Sequence, residues 1–208
     1  MRRAVSVFFG AVLLPALAFG CNDFPVEHCV AGQGIGLDPA GVPRRGLAEA
    51  QVELVLFGDL VCPYTRWAIW VMDGYLASLA DEHADRVRLL FRHFPLEQIH
   101  PRARAAALAL AAAHRQGDDA FWRLLLLLIR ADDFGDDALR ACAAAAGLDL
   151  AAFDADLADP ATAAVVDRDL ALALELRLPG TPSFILCGVP VSHDPEEVAA
   201  NVDALLGR

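Results

Sequence analysis

Val52-Glu53-Leu54-Val55-Leu56-Phe57 is a short apolar run closed by Gly58 and Asp59, which predicts a buried β-strand. Cys62-Pro63 opens a helix expected to reach about Asp81, because proline suits a first helical turn, where its missing N–H would have no partner. Val87-Arg88-Leu89-Leu90-Phe91 predicts a second strand, and strand–helix–strand implies a parallel pair. Helices are expected over about 101–115, 119–130, 135–146 and 149–158, then from Pro160 to about Arg177. The alanine runs Ala105–Ala113 and Ala143–Ala146 read as helix interiors, with Gly147 and Gly180 as stops. Ser183 to Leu186 reads as a strand, Cys187-Gly188 as a turn and Val189–Val191 as a short strand. Asp194 caps a last helix, with Glu196 and Glu197 near its positive end. The order is β-α-β, a helical block, then α-β-β-α.

The first 48 residues break this pattern. Arg2 and Arg3, an apolar run from Ala4 to Leu14, and Ala16-Leu17-Ala18 form a signal-peptide pattern over 1–18. That apolar run is short of the roughly 20 residues a membrane helix needs, so no stable transmembrane span is expected after processing. Cys21 after Gly20 leaves a lipid-anchored form as the alternative to a soluble periplasmic or extracellular one. Residues 19–48, with Gly, Pro and few periodic apolar positions, read as an arm or linker before a domain at 49–208.

The 208 residues suit one domain with a modest extension, and 56% apolar content supplies a core. A net charge of −11 repels phosphate backbones and excludes nucleic acid as a partner. The five cysteines are Cys21, Cys29, Cys62, Cys142 and Cys187, an odd number, and the spacing of Cys21 and Cys29 permits a bridge. His93 and His100 form no metal-ligand spacing with them, and their expected roles are strand-end packing and helix entry. No metal site is expected. Trp67 and Trp70 share a face of the Cys62 helix and are expected in the core.

Three motifs carry a resemblance. Phe57-Gly58-Asp59-Leu60-Val61-Cys62-Pro63-Tyr64 resembles the strand, acidic turn and helix start of the DsbA family's active site. Phe91-Arg92-His93-Phe94-Pro95-Leu96 with His100-Pro101 resembles the entry to the helical insert of short bacterial DsbA-like proteins. Gly180-Thr181-Pro182-Ser183-Phe184 resembles the family's cis-proline loop. The resemblance runs from about residue 42 to the C-terminus. It implies an α/β thioredoxin-like fold, a mixed sheet flanked by helices, with a helical insertion at about 97–158. It also implies that Pro63, Tyr64, Thr181 and Pro182 bind substrate.

Two departures bear on function. Cys62-Pro63-Tyr64-Thr65 places Thr65 where the family has its second cysteine, and Leu56 stands where the family often has a buried acid. A helix N-terminus favours the thiolate of Cys62, and Thr65 is expected to donate its hydroxyl hydrogen to the sulfur. Cys62 and Thr65 are thus the expected catalytic pair. A mixed disulfide would need resolving from elsewhere: by glutathione or another small thiol as co-substrate, by a substrate cysteine, or by a partner reductase or oxidase. Within the chain, Cys187 is expected to lie too far away and Cys142 to be a core residue, which leaves Cys29 on the arm. Three readings stay open: monothiol exchange with cysteine-containing exported proteins, a binding module for extended polypeptides, and a relic with an inert thiol.

Overall fold

The computed structural model describes residue 35 and residues 37–208 except 80. The leader pattern, Cys21 and Cys29 lie outside the described residues. The elements in order are β1 (Arg44–Arg45), β2 (Val52–Gly58), α1 (Pro63–Ser78), α2 (Asp81–Ala84), β3 (Val87–His93) and α3 (Ala103–His114). There follow α4 (Asp118–Leu128), α5 (Asp136–Ala145), α6 (Leu150–Ala158), α7 (Pro160–Glu175), β4 (Ser183–Leu186), β5 (Val189–Pro190) and α8 (Pro195–Leu206). The sheet order is β1-β3-β2-β4-β5, with β2 parallel to β3 and the other pairs antiparallel. This is the mixed, thioredoxin-like sheet, with α3 to α6 inserted after β3.

Both faces of the sheet are covered, which is why its strands read as continuous apolar runs. Leu54 and Leu56 of β2, Leu89 and Phe91 of β3, and Phe184 and Leu186 of β4 join the larger core with α1, α8 and the insert. The alternate positions Val55, Phe57, Leu90 and Ile185 pack with Leu37, Val42, Phe94 and Ala173 in a smaller core. Leu37, Val42 and β1 fall in the segment expected to be an arm. Its last residues instead form the sheet's edge, with Arg44 opposite Leu90 and Arg45 opposite Leu89.

The smaller face also carries a buried ion pair, Arg92 Nη1 to Asp169 Oδ1 at 2.8 Å. Asp169 accepts the His93 amide as well, at 3.2 Å. Arg92 also donates to the Asp38 carbonyl, which ties the segment before β1 to the sheet. At the opposite edge Cys187 occupies the β4–β5 turn at a positive φ of 50° and is disulfide-bonded. Cys62 and Cys142 are free thiols.

Candidate active site

Strands β2 and β4 are antiparallel neighbours, with Phe57 opposite Ser183. The turn that leaves β2 therefore meets the loop that enters β4. Cys62 lies in the first as the N-cap of α1, with Pro63 in the first helical turn. Thr181 lies in the second, and the Thr181–Pro182 peptide bond is cis. Cys62 Sγ donates to the Thr181 carbonyl at 3.3 Å, across 119 residues of sequence. Gly58 permits this close packing: a Cβ there would come within 2.8 Å of both the Phe91 ring and the Thr65 methyl.

The Cys62 S–H points at the Thr181 carbonyl, which lies at the start of the cis-proline loop. The loop covers the sulfur, leaving Cys62 only 5% exposed. The Thr181 hydroxyl next to it is buried and has no hydrogen-bond partner among the described residues.

A family model for the DSBA-like thioredoxin domain matches residues 53–202. The chain belongs to that family. A thioredoxin-like oxidoreductase from Silicibacter pomeroyi DSS-3 is 26% identical, with a TM-score of 0.68 over 81% of this chain and 94% of that one. Oxidised BdbD from Bacillus subtilis shares the fold at 20% identity, with a TM-score of 0.69 over 82% and 96%. The Na(+)/H(+) antiporter NhaA 3 of Salinispora tropica is 35% identical over 167 residues, which is 80% of this chain and 24% of the antiporter. The chain spans about a quarter of the length of such curated relatives.

Within this DSBA-like domain Thr65 does not serve the sulfur as expected. It is fully buried, and its hydroxyl accepts the Asp59 amide at 3.4 Å. The reason is its place in the first turn of α1, directly above the end of β2. The larger organising role falls to Asp59. Its carbonyl accepts the Cys62 amide at 3.0 Å, and its Oδ1 accepts the Val61 amide at 2.9 Å. Oδ2 accepts the Leu96 amide at 3.1 Å and contacts His100 Nδ1 at 2.8 Å. The turn holding Cys62 is thus fastened to the segment after β3. The sequence marked Asp59 only as part of the acidic turn before Cys62, because its partners lie 37 and 41 residues on. The family's acid position, Leu56, is fully buried in the larger core.

The aromatic face of α1 is exposed: Trp67 and Trp70, expected in the core, are 40% and 63% exposed, and Tyr64 beside them is 69% exposed. Two grooves flank it. One, of about 280 Å³, is lined by Tyr64, Trp67, Pro179 to Pro182 and His193. His193 Nδ1 donates to the Pro182 carbonyl at 2.8 Å. The other, of about 300 Å³, lies toward the insert, between Pro63, Trp67, Trp70 and Ile129. So Pro63, Tyr64, Thr181 and Pro182 come together around Cys62.

His93 is buried edge-on against Phe91 and Phe121, and loss of hydration pushes its pKa down to about 4. It is a neutral packing residue at pH 7. Cys142 is half-buried on α5 against the larger core. Among the described residues no three His, Cys, Asp or Glu side chains converge to hold a metal ion, and no helix is long and apolar enough to cross a membrane.

Proposed function

We propose that this DSBA-like domain is an exported monothiol exchange protein that forms mixed disulfides through Cys62. The Cys62 thiolate attacks one sulfur of a substrate disulfide; a new S–S bond forms and the other substrate sulfur leaves as thiolate, then takes a proton. A second thiolate then attacks the substrate sulfur, and Cys62 leaves as thiolate. The protein gains no net electrons over the cycle. The second thiol comes from glutathione or another small thiol, another cysteine of the substrate, or a partner reductase. Export rests on the signal pattern of residues 1–18.

The observation that carries the reading is the free Cys62 at the N-cap of α1, 3.3 Å from the Thr181 carbonyl beside a cis proline, with Thr65 in the second-cysteine position. In this reading the loop at Thr181 and Pro182 holds an extended chain by main-chain hydrogen bonds. A second reading, a binding module for extended polypeptides with little turnover, is favoured by the covered sulfur next to exposed aromatic side chains.

Trapping separates the two. Protein is isolated from its own cell with free thiols blocked at lysis, and whatever is disulfide-linked to Cys62 is identified. Exchange predicts defined adducts that vanish on reduction and are absent from Cys62→Ser. A binding module predicts the same clients, held without a covalent bond, in the native protein and in Cys62→Ser.

A further inference from the structure

The insert-side groove has an electrostatic character at odds with the chain as a whole. It begins at Pro63, next to Cys62, and carries Arg66 and Arg130 beside Trp67, Trp70 and Ile129. Arg66 is held in place by neutral groups: Nη1 donates to the Ala131 carbonyl at 2.8 Å, and the guanidinium stands 6.0 Å from the centre of the Phe134 ring. Among the described residues neither Arg66 nor Arg130 has a carboxylate within ion-pairing distance. The nearby acids are turned elsewhere or lie off the groove. Asp73, further along α1, pairs with Arg45, and Asp133 accepts the Gly135 amide at 2.8 Å. No acid lines the groove.

We propose that this groove selects extended peptides with acidic residues beside the cysteine that meets Cys62. The proposal deepens the exchange reading by naming its substrate class, and rests on it for the chemistry at Cys62. The geometry supplies the logic. Residues four apart on a helix share a face, so Arg66 lies one turn beyond Cys62 on the side facing the insert. A chain lying along the loop at Thr181 and Pro182 would carry its flanking residues over Trp67 toward the two guanidiniums. Arginine suits carboxylates because its planar fork donates two parallel hydrogen bonds. The net charge of −11 does not decide the matter, since at physiological salt charges beyond about 8 Å are largely screened. The local pair of cations then outweighs the distant acidic surface.

The test reads binding separately from exchange. Two short peptides, identical except for Glu or Lys on both sides of a serine in place of cysteine, are titrated into the full protein. Tryptophan emission is the signal, because Trp67 and Trp70 line the groove whereas Trp122 is buried. The acidic peptide is expected to bind about fivefold to tenfold more tightly at physiological salt, where the distant acidic surface is screened, the effect of two partly exposed ion pairs, with the margin shrinking as salt rises further. Arg66→Gln with Arg130→Gln should abolish the preference, and the double lysine variant should keep most of it. The Arg130 side chain makes no hydrogen bond or ion pair among the described residues, so Arg130→Gln alone gives a partial loss even if Arg66→Gln compromises folding. Equal binding of the two peptides, or a preference that survives Arg130→Gln undiminished, overturns the proposal. A neutral disulfide, hydroxyethyl disulfide, tests Cys62 in parallel: if it forms no adduct while the acidic preference holds, the exchange reading falls and the groove's selectivity stands.

Discussion

Asp59 and Asp169 are both buried carboxylates near the end of β3, yet they hold different things. Asp59 gathers the amides of Val61 and Leu96 and the His100 ring around the turn that presents Cys62. Asp169 faces the opposite side of the sheet and balances Arg92, while its second oxygen accepts the His93 amide. One carboxylate shapes a reactive turn and the other closes a core. Burial alone therefore does not mark a functional acid; the identity of the groups it holds does.

The largest effect should come from the structural partner. Asp169→Ala leaves Arg92 buried without its counter-charge and should cost about 3–5 kcal/mol in urea unfolding. Alkylation of Cys62 in the protein that remains folded should be unchanged. An equal change in both would erase the distinction between the two acids.

Asp59→Ala strands the Val61 and Leu96 amides and should cost about 2–3 kcal/mol. Unlike Asp169→Ala, it should also change the rate and pH profile of Cys62 alkylation, because the turn loses its fastening to the segment after β3.

The larger core should also respond to acid, through His93 against Phe91 and Phe121. Its folded pKa, about 4, lies below the ordinary 6.5. The unfolded chain therefore takes up the proton first, and stability is complete above pH 6.5 and falls as the pH drops toward 4. At pH 5 the loss is about 2 kcal/mol, and unfolding midpoints at pH 7 and pH 5 measure it. His93→Phe, which keeps a ring between Phe91 and Phe121, should remove that part of the acid sensitivity.

The smallest effect belongs to a contact that serves neither region. The Tyr75 hydroxyl donates to Asp203 at 2.8 Å and joins α1 to α8. Tyr75→Phe should cost about 1 kcal/mol and leave Cys62 alkylation as it was.

Much of this organisation was legible in the sequence because its signals are local. Strands β2, β3 and β4 announce themselves by apolar runs that end in turn residues, and Asp194 accepts the Glu196 amide as its N-cap position implies. Strand β1 was not legible, since two arginines carry no periodicity and their pairing with β3 is a tertiary fact. The helical spacing of Trp67 and Trp70 placed them on one face but could not say whether anything covers that face. The hydrogen bond expected from Thr65 to sulfur failed because spacing fixes proximity, not which group the hydroxyl meets. Asp59 was visible as an acid three residues before Cys62, but its partners arrive only when the chain returns after β3.

The most direct measurement is the reaction of the native protein with oxidised glutathione at mildly acidic pH, with the modified residue identified by mass spectrometry. A single glutathione adduct on Cys62, absent from Cys62→Ser and not matched on Cys142, is the predicted result. A native protein that stays unmodified, or modifies Cys142 as readily as Cys62, would contradict the claim that this covered sulfur is the reactive centre.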